Sequence, residues 1–230
     1  FYDAIVKYNH QINENNKIKA TGYYSKDRYS ITSDSLFGYS NRLVSLQWNH
    51  RFNEENKGSL LLLNSEYKYD IEYDGPTDTD FDLGYSINET QLKLRFDSKL
   101  NNKHTLDYGI STKLYNVQPG EIQPSQNSSI VDPLKIPKER GLESAVYLSD
   151  NFKVNKKLEL NAGIRYSTFA ALGEATQRSY VDGVPLSDAT VTDTLSYKRN
   201  EAIETYGGPE ARVSTRYSFT PEFSVKASFN

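Results

Sequence analysis

Three histidines, His10, His50 and His104, are the side chains of this 230-residue chain with an ordinary pKa near neutrality. A histidine acting as general base needs a nucleophile or an activated water within hydrogen-bond reach. Here each lies beside a short polar turn on a separate hairpin, with no GxSxG, HExxH or phosphate-binding glycine loop in the chain. His10 and His50 keep register with apolar residues, so a place among interfacial aromatics explains them better than catalysis. Cysteine is absent, which removes disulfides, thiol nucleophiles and zinc–thiolate clusters. Asp74, Asp78, Asp80 and Asp82 could offer oxygen ligands to calcium, but they lack the full EF-hand pattern, and solvated loop charge is the plainer reading. Asn88-Glu89-Thr90 and Asn127-Ser128-Ser129 match the glycosylation pattern, which is too short to carry weight. No catalytic, cofactor-binding or metal site is expected.

The remaining charge is more informative. Glu159, Arg165, Glu210, Arg212 and Arg216 fall on the polar faces of strands that should be close neighbours. One reading is a water-filled lumen lined by charge, as in a porin. The other is a lumen filled by a folded plug with which these groups pair. The residues alone leave both open.

The elements that position them follow from period-two alternation. In Lys157–Leu172 the even positions (Leu158, Leu160, Ala162, Ile164, Tyr166) are largely apolar, and the odd ones (Lys157, Glu159, Asn161, Arg165, Ser167) largely polar. The run far exceeds an ordinary strand of about five or six residues and implies a long strand between an apolar phase and a wet one. The same pattern explains a composition that is polar yet rich in aromatics. Mean hydropathy is −0.70, while 18 Tyr and 10 Phe argue against disorder. Only alternate residues of a membrane β-barrel face lipid. No aliphatic run is long enough for a transmembrane helix, so a barrel is the one spanning structure left. With 27 basic and 30 acidic residues there is no polybasic field for nucleic acid.

The pattern predicts about ten strands in five hairpins. Short turns are expected near 13–16, 53–57, 101–103, 155–156 and 220–221. Long connections are expected near 29–38, 75–82, 118–140 and 173–202, with Asp182-Gly183 as a turn inside the last. Pro119, Pro124, Pro133 and Pro137 exclude central strand from the third of these. Short turns at one end and long loops at the other are the signature of an outer-membrane barrel. Aromatics near the short turns (Tyr8, Trp48, Phe52, Phe96, Phe152, Phe219, Phe223) and toward the loops (Tyr24, Tyr69, Tyr73, Tyr115, Tyr166) suggest two interfacial girdles.

Gly141–Gly173 resembles the mid-barrel hairpin of TonB-dependent outer-membrane receptors, notably the Bacteroidetes type. The residues that carry the likeness are Glu143, Ala145, Tyr147 and Asp150, then Leu158, Leu160, Gly163, Arg165 and Tyr166. Tyr206–Asn230 is similar to the following hairpin, through Pro209-Glu210, Arg212, Arg216-Tyr217 and Ser224–Ser228. The resemblance implies an all-β, antiparallel barrel of about 22 strands, of which residues 1–230 would be an internal segment. It also implies a plug domain of the same protein, an energy-transducing TonB-type partner reached through that plug, and import of a scarce bulky ligand such as a chelated metal, cobalamin or glycan. The expected setting is the lipid of a Gram-negative outer membrane, and no enzymatic activity is expected. The alternatives are a passive porin or structural barrel, a barrel protease or lipase disfavoured by the histidine placement, and a soluble β-sandwich.

Overall fold

Alternation becomes backbone as long, consecutive antiparallel strands. The computed structural model describes residues 1–75 and 78–229. The strands are β1 (Tyr2–Asn13), β2 (Asn16–Thr32), β3 (Ser35–Arg51), β4 (Asn56–Tyr73), β5 (Phe81–Lys99), β6 (His104–Pro124) and β7 (Leu134–Lys135). Then follow β8 (Glu139–Lys153), β9 (Leu158–Leu172), β10 (Ala175–Tyr180), β11 (Val191–Tyr197), β12 (Ala202–Ser218) and β13 (Ser224–Phe229). One sheet runs β1-β2-β3-β4-β5-β6-β8-β9-β12-β13 with β7 beside β6, and β10 and β11 form a separate hairpin. β1 and β13 are its free edges.

Cross-strand rows define the two faces. His10, Ile18, Trp48, Leu60, Leu94, Ile110, Val146 and Tyr166 lie side by side across successive strands. One residue over, Gln11, Lys17, Asn49, Ser59, Arg95, Gly109, Tyr147, Arg165 and Glu210 form the next row. Only the first row can meet hydrocarbon, so its face is outer and the second is inner. Ala145 is the sole buried apolar residue among those described, whereas Ile164 is 67% and Val44 59% exposed. The sheet is a wall whose apolar surface is left for a surrounding apolar phase to cover.

Five turns at one end share a device. The side-chain oxygens of Asn13, Asn53, Asn101, Asn155 and Thr220 each accept a backbone N–H two residues on, from Asn15, Glu55, Lys103, Lys157 and Glu222. A short polar side chain that bonds ahead along its own backbone closes a tight turn locally. At the other end Ser33-Asp34 joins β2 to β3 directly. The Thr32 hydroxyl beside Asp34 holds that carboxyl below its usual range. The acidic connection 74–80 is partly described, since Pro76 and Thr77 lie outside the described residues.

The strands run further than the sequence reading predicted. The connection expected near 29–38 is strand up to a two-residue turn, with Tyr29 stacked on Phe37 at 5.3 Å. Pro119 and Pro124 lie within β6, not in a loop. Pro119 falls where the pairing with β5 slips between Gly84 and Ser86, and Pro124 ends the strand. A bulge or strand end asks for no ladder donor, so proline fits there. The 173–202 connection holds the β10–β11 hairpin and a one-turn 3-10 helix at Asp188–Thr190. Its Asp182-Gly183 turn is present, with Gly183 at φ 79°.

The polarity of the wall inverts along its length. On β4, Leu60 and Leu62 are outer, but above them Glu66, Lys68, Asp70 and Glu72 occupy the same face. Outer-face ion pairs appear there: Arg42 Nη2 is 3.5 Å from Glu66, Lys68 Nζ 3.6 Å from Glu66, and Arg28 Nη2 2.6 Å from Glu72. Charges like these are costly in hydrocarbon and ordinary in water, so the strands have left the bilayer at this level. The expected upper girdle is corrected accordingly. Tyr24 and Tyr166 are outer, but Tyr69, Tyr73 and Tyr115 fall on the inner face. The lower band is present in two groups, with Phe52–Phe96 at 6.2 Å and Phe96–Tyr108 at 5.4 Å in one and Tyr217–Phe219 at 4.8 Å in the other.

Candidate functional site

The inner face of β5, β6, β8, β9 and β12 gathers a band of charge. Arg165 of β9 sits between carboxylates from both neighbouring strands, which the alternation projects to the same side. Its Nη2 donates to Glu143 Oε1 at 3.2 Å, and its Nε lies 3.6 Å from Glu210 Oε1. Glu143 also accepts from the Tyr115 hydroxyl at 3.1 Å. Glu210 accepts from the Ser167 hydroxyl at 2.5 Å and lies 3.7 Å from Arg212 Nη2. Beside this network Arg95 bridges Asp97 at 2.9 Å and Asp107 at 3.0 Å. Tyr147 donates to Asp107 at 3.2 Å, while Lys93 stands 5.7 Å from the centre of the Tyr147 ring. A depression of about 280 Å³ between the clusters is lined by Lys93, Arg95, Asp107, Tyr147, Arg165 and Arg212.

Three of the five expected residues, Arg165, Glu210 and Arg212, are thus in one network. Glu159 and Arg216 face each other in register across β9 and β12, but no ion pair joins them among the described residues. Glu143, Arg95, Asp107 and Tyr147 belong to the band although the charge reading did not select them. Only cross-strand register reveals them, because the partners are 22 residues apart for Arg165–Glu143 and 40 for Tyr147–Asp107. The carboxylates Asp97, Asp107, Glu143 and Glu210 are each within ion-pair distance of an arginine.

The histidines sit apart from this band, on the outer face by the short turns. His10 stacks on Tyr8 at 6.0 Å, His50 meets Phe52 edge-on at 4.5 Å, and His104 lies flat on Phe152 at 4.4 Å. His104 Nδ1 is also 2.6 Å from Asp150 Oδ2. His10 and His50 extend the lower aromatic band, as their register predicted, and His104 joins it through Phe152. Among the described residues no group of three or more His, Asp or Glu side chains is arranged to hold a metal ion.

Arg165→Met removes the one cation shared by Glu143 and Glu210. Each ion pair is partly exposed and worth well under a full buried pair, about 0.2–1 kcal/mol. A loss of about 1 kcal/mol is expected in urea unfolding of the folded, heat-modifiable form. Adding Glu143→Gln should restore part of it, because the uncompensated carboxylate is then gone.

Residues 2–230 match the family model described as TonB dependent receptor-like, beta-barrel. The chain belongs to that family and is a segment of the wall of an outer-membrane β-barrel. No curated protein matches it by sequence. Among solved structures it is similar to BauA, the ferric preacinetobactin receptor of Acinetobacter baumannii, at 12% identity and a TM-score of 0.66, over 98% of this chain and 38% of that one. The copper transporter OprC gives 7% identity and 0.66 over 95% and 34%. The ferric citrate transporter FecA in its unliganded form gives 12% and 0.63 over 98% and 35%. At these identities the likeness is one of fold, and the chain spans little more than a third of each of these structures.

Proposed function

We propose that this chain is the barrel portion of a TonB-dependent transporter that imports a scarce, bulky ligand across the outer membrane. The observation that carries the reading is the inner-face band in which Arg95, Arg165 and Arg212 alternate with Asp97, Asp107, Glu143 and Glu210. A folded plug presents mixed charges and hydrogen-bonding groups, and such a band is complementary to it. The two unpaired edges, β1 and β13, support placing the sheet inside a larger closed barrel, because an open edge in hydrocarbon would leave its backbone groups unsatisfied. Energy would reach the plug from the inner membrane through a TonB-type partner, and no chemical step on the ligand is involved.

The full-length receptor, reconstituted in planar bilayers, tests this reading. A plugged transporter should be non-conducting until urea loosens the plug, and an immobilised TonB-type periplasmic domain should retain it. A steady open conductance without urea, together with no retention, would make the protein a passive porin instead.

A further inference from the structure

Where the outer face of β2 to β5 changes from apolar to charged, the charge is sorted by sign. Lys26, Arg42 and Lys68 each lie ten residues along the strand from a turn-end residue, Asn16, Phe52 and Gly58 respectively. Ten residues rise about 34 Å at ~3.4 Å per residue, or about 26 Å along the bilayer normal at a tilt of about 40°. The apolar band of such a wall is about 25 Å tall, so all three cations stand at its upper edge. Lys26, Ser40 and Lys68 are consecutive partners across β2, β3 and β4, and Tyr24, Arg42 and Glu66 form the row beneath. These two rows hold three cations and one carboxylate, a net charge of +2, and β5 adds only Ser86 and Asn88 to them. The two rows above set Arg28 against Asp70, Glu72 and Asp82, a net charge of −2.

The lower cations are open to a ligand. Arg42 Nη2 and Lys68 Nζ approach the same Glu66 oxygen at 3.5 and 3.6 Å, yet their side chains stay 52% and 55% exposed. Lys26 has no ion pair among the described residues. Toward the membrane on the same face, Val44, Leu46 and Leu62 are exposed. A ligand for this place must therefore join an anion to hydrocarbon. A phosphodiester brings a single negative charge, whereas a phosphate monoester brings about 1.5 to 2 near neutral pH, which matches the surplus. Arginine grips phosphate oxygens through paired N–H groups and lysine as a point charge. Cations at the edge of a bilayer attract anionic headgroups, and the end with the longer loops is the extracellular one, so the leaflet is the outer one.

We infer that Lys26, Arg42 and Lys68, with Ser40 between the lysines, form an outward-facing site for the phosphate monoester of a lipid A-type glycolipid, whose acyl chains lie on Val44, Leu46 and Leu62. The inference goes beyond the import reading and holds equally for a passive barrel.

The test uses the full-length receptor, stripped of lipid in detergent and titrated under native mass spectrometry. The probes are bisphosphorylated lipid A, its phosphatase-treated form, phosphatidylglycerol and inorganic phosphate. Lipid A should bind at least tenfold more tightly than its dephosphorylated form, with an affinity that falls as salt rises. Lys26→Gln with Arg42→Gln and Lys68→Gln should weaken it at least tenfold. Glu66→Gln should tighten it a few-fold, because the competing carboxylate is gone. Ion pairs that served only the wall would give the opposite sign for Glu66→Gln, and that result would overturn the proposal. Heat-modifiable migration confirms that each variant is folded. Equal binding of the dephosphorylated lipid, or a triple variant that keeps lipid A, would also overturn it. Equal binding of phosphatidylglycerol would assign the site to phospholipid, and retention of inorganic phosphate alone would assign it to the free ion. Either result would sink the lipid A assignment.

Discussion

Ile164→Arg should destabilise the folded barrel by roughly 2–4 kcal/mol, the cost of a cation on the lipid face near the bilayer midplane. Ile164 is 67% exposed on the outer face, paired in register with Leu148 and Ala211, and six residues above the turn end of β9 at Leu158. No carboxylate flanks it in that row, so an arginine would have only snorkelling to relieve it. Asn161→Arg, three residues earlier and on the inner face, should change stability by less than about 0.5 kcal/mol. Urea titration of the receptor folded into lipid vesicles measures both. Equal effects would mean that the two faces have been assigned the wrong way round.

Gly109→Ala should cost about 1–3 kcal/mol, the range for forcing extra atoms into a packed site. A Cβ at this position would lie 2.2 Å from the Leu94 carbonyl oxygen and 3.2 Å from Arg95 Cα, both backbone atoms, and 3.1 Å from the Tyr147 hydroxyl. The strand must move to admit it, and Gly109 stands in the row between Arg95 and Tyr147. The substitution should therefore also loosen the hydrogen bonds of both residues to Asp107. Gly22→Ala is the control, since a Cβ there meets nothing within 4 Å. It should leave the unfolding midpoint within about 0.5 kcal/mol of the parent. If Gly109→Ala behaved the same way, the close approach of β5 and β6 would not be a constraint of the fold.

The ten long strands of the main sheet, their antiparallel order, the position of all five short turns and the outer register of β9 were legible in the sequence, because period two is a local property that each strand states for itself. The short β7, β10 and β11 lay inside expected loops. Asn13, Asn53, Asn101 and Asn155 even mark their turns in advance, at the position where an Asx side chain closes them. The tertiary structure decided what depends on neighbours and on height above the membrane. Register across β8, β9 and β12 selected Arg165, Glu143, Glu210 and Arg212 as a network, while among the described residues no ion pair joins Glu159 and Arg216. The slip between β5 and β6 allowed Pro119 into a strand. The change from lipid to water partway up β4 turned Tyr69 and Tyr73 from apparent girdle residues into lining of the lumen. Alternation says which side chains share a face; it does not say which medium that face meets at a given height. The same alternating code therefore reads correctly in phase, and inverts in meaning where the strands leave the bilayer.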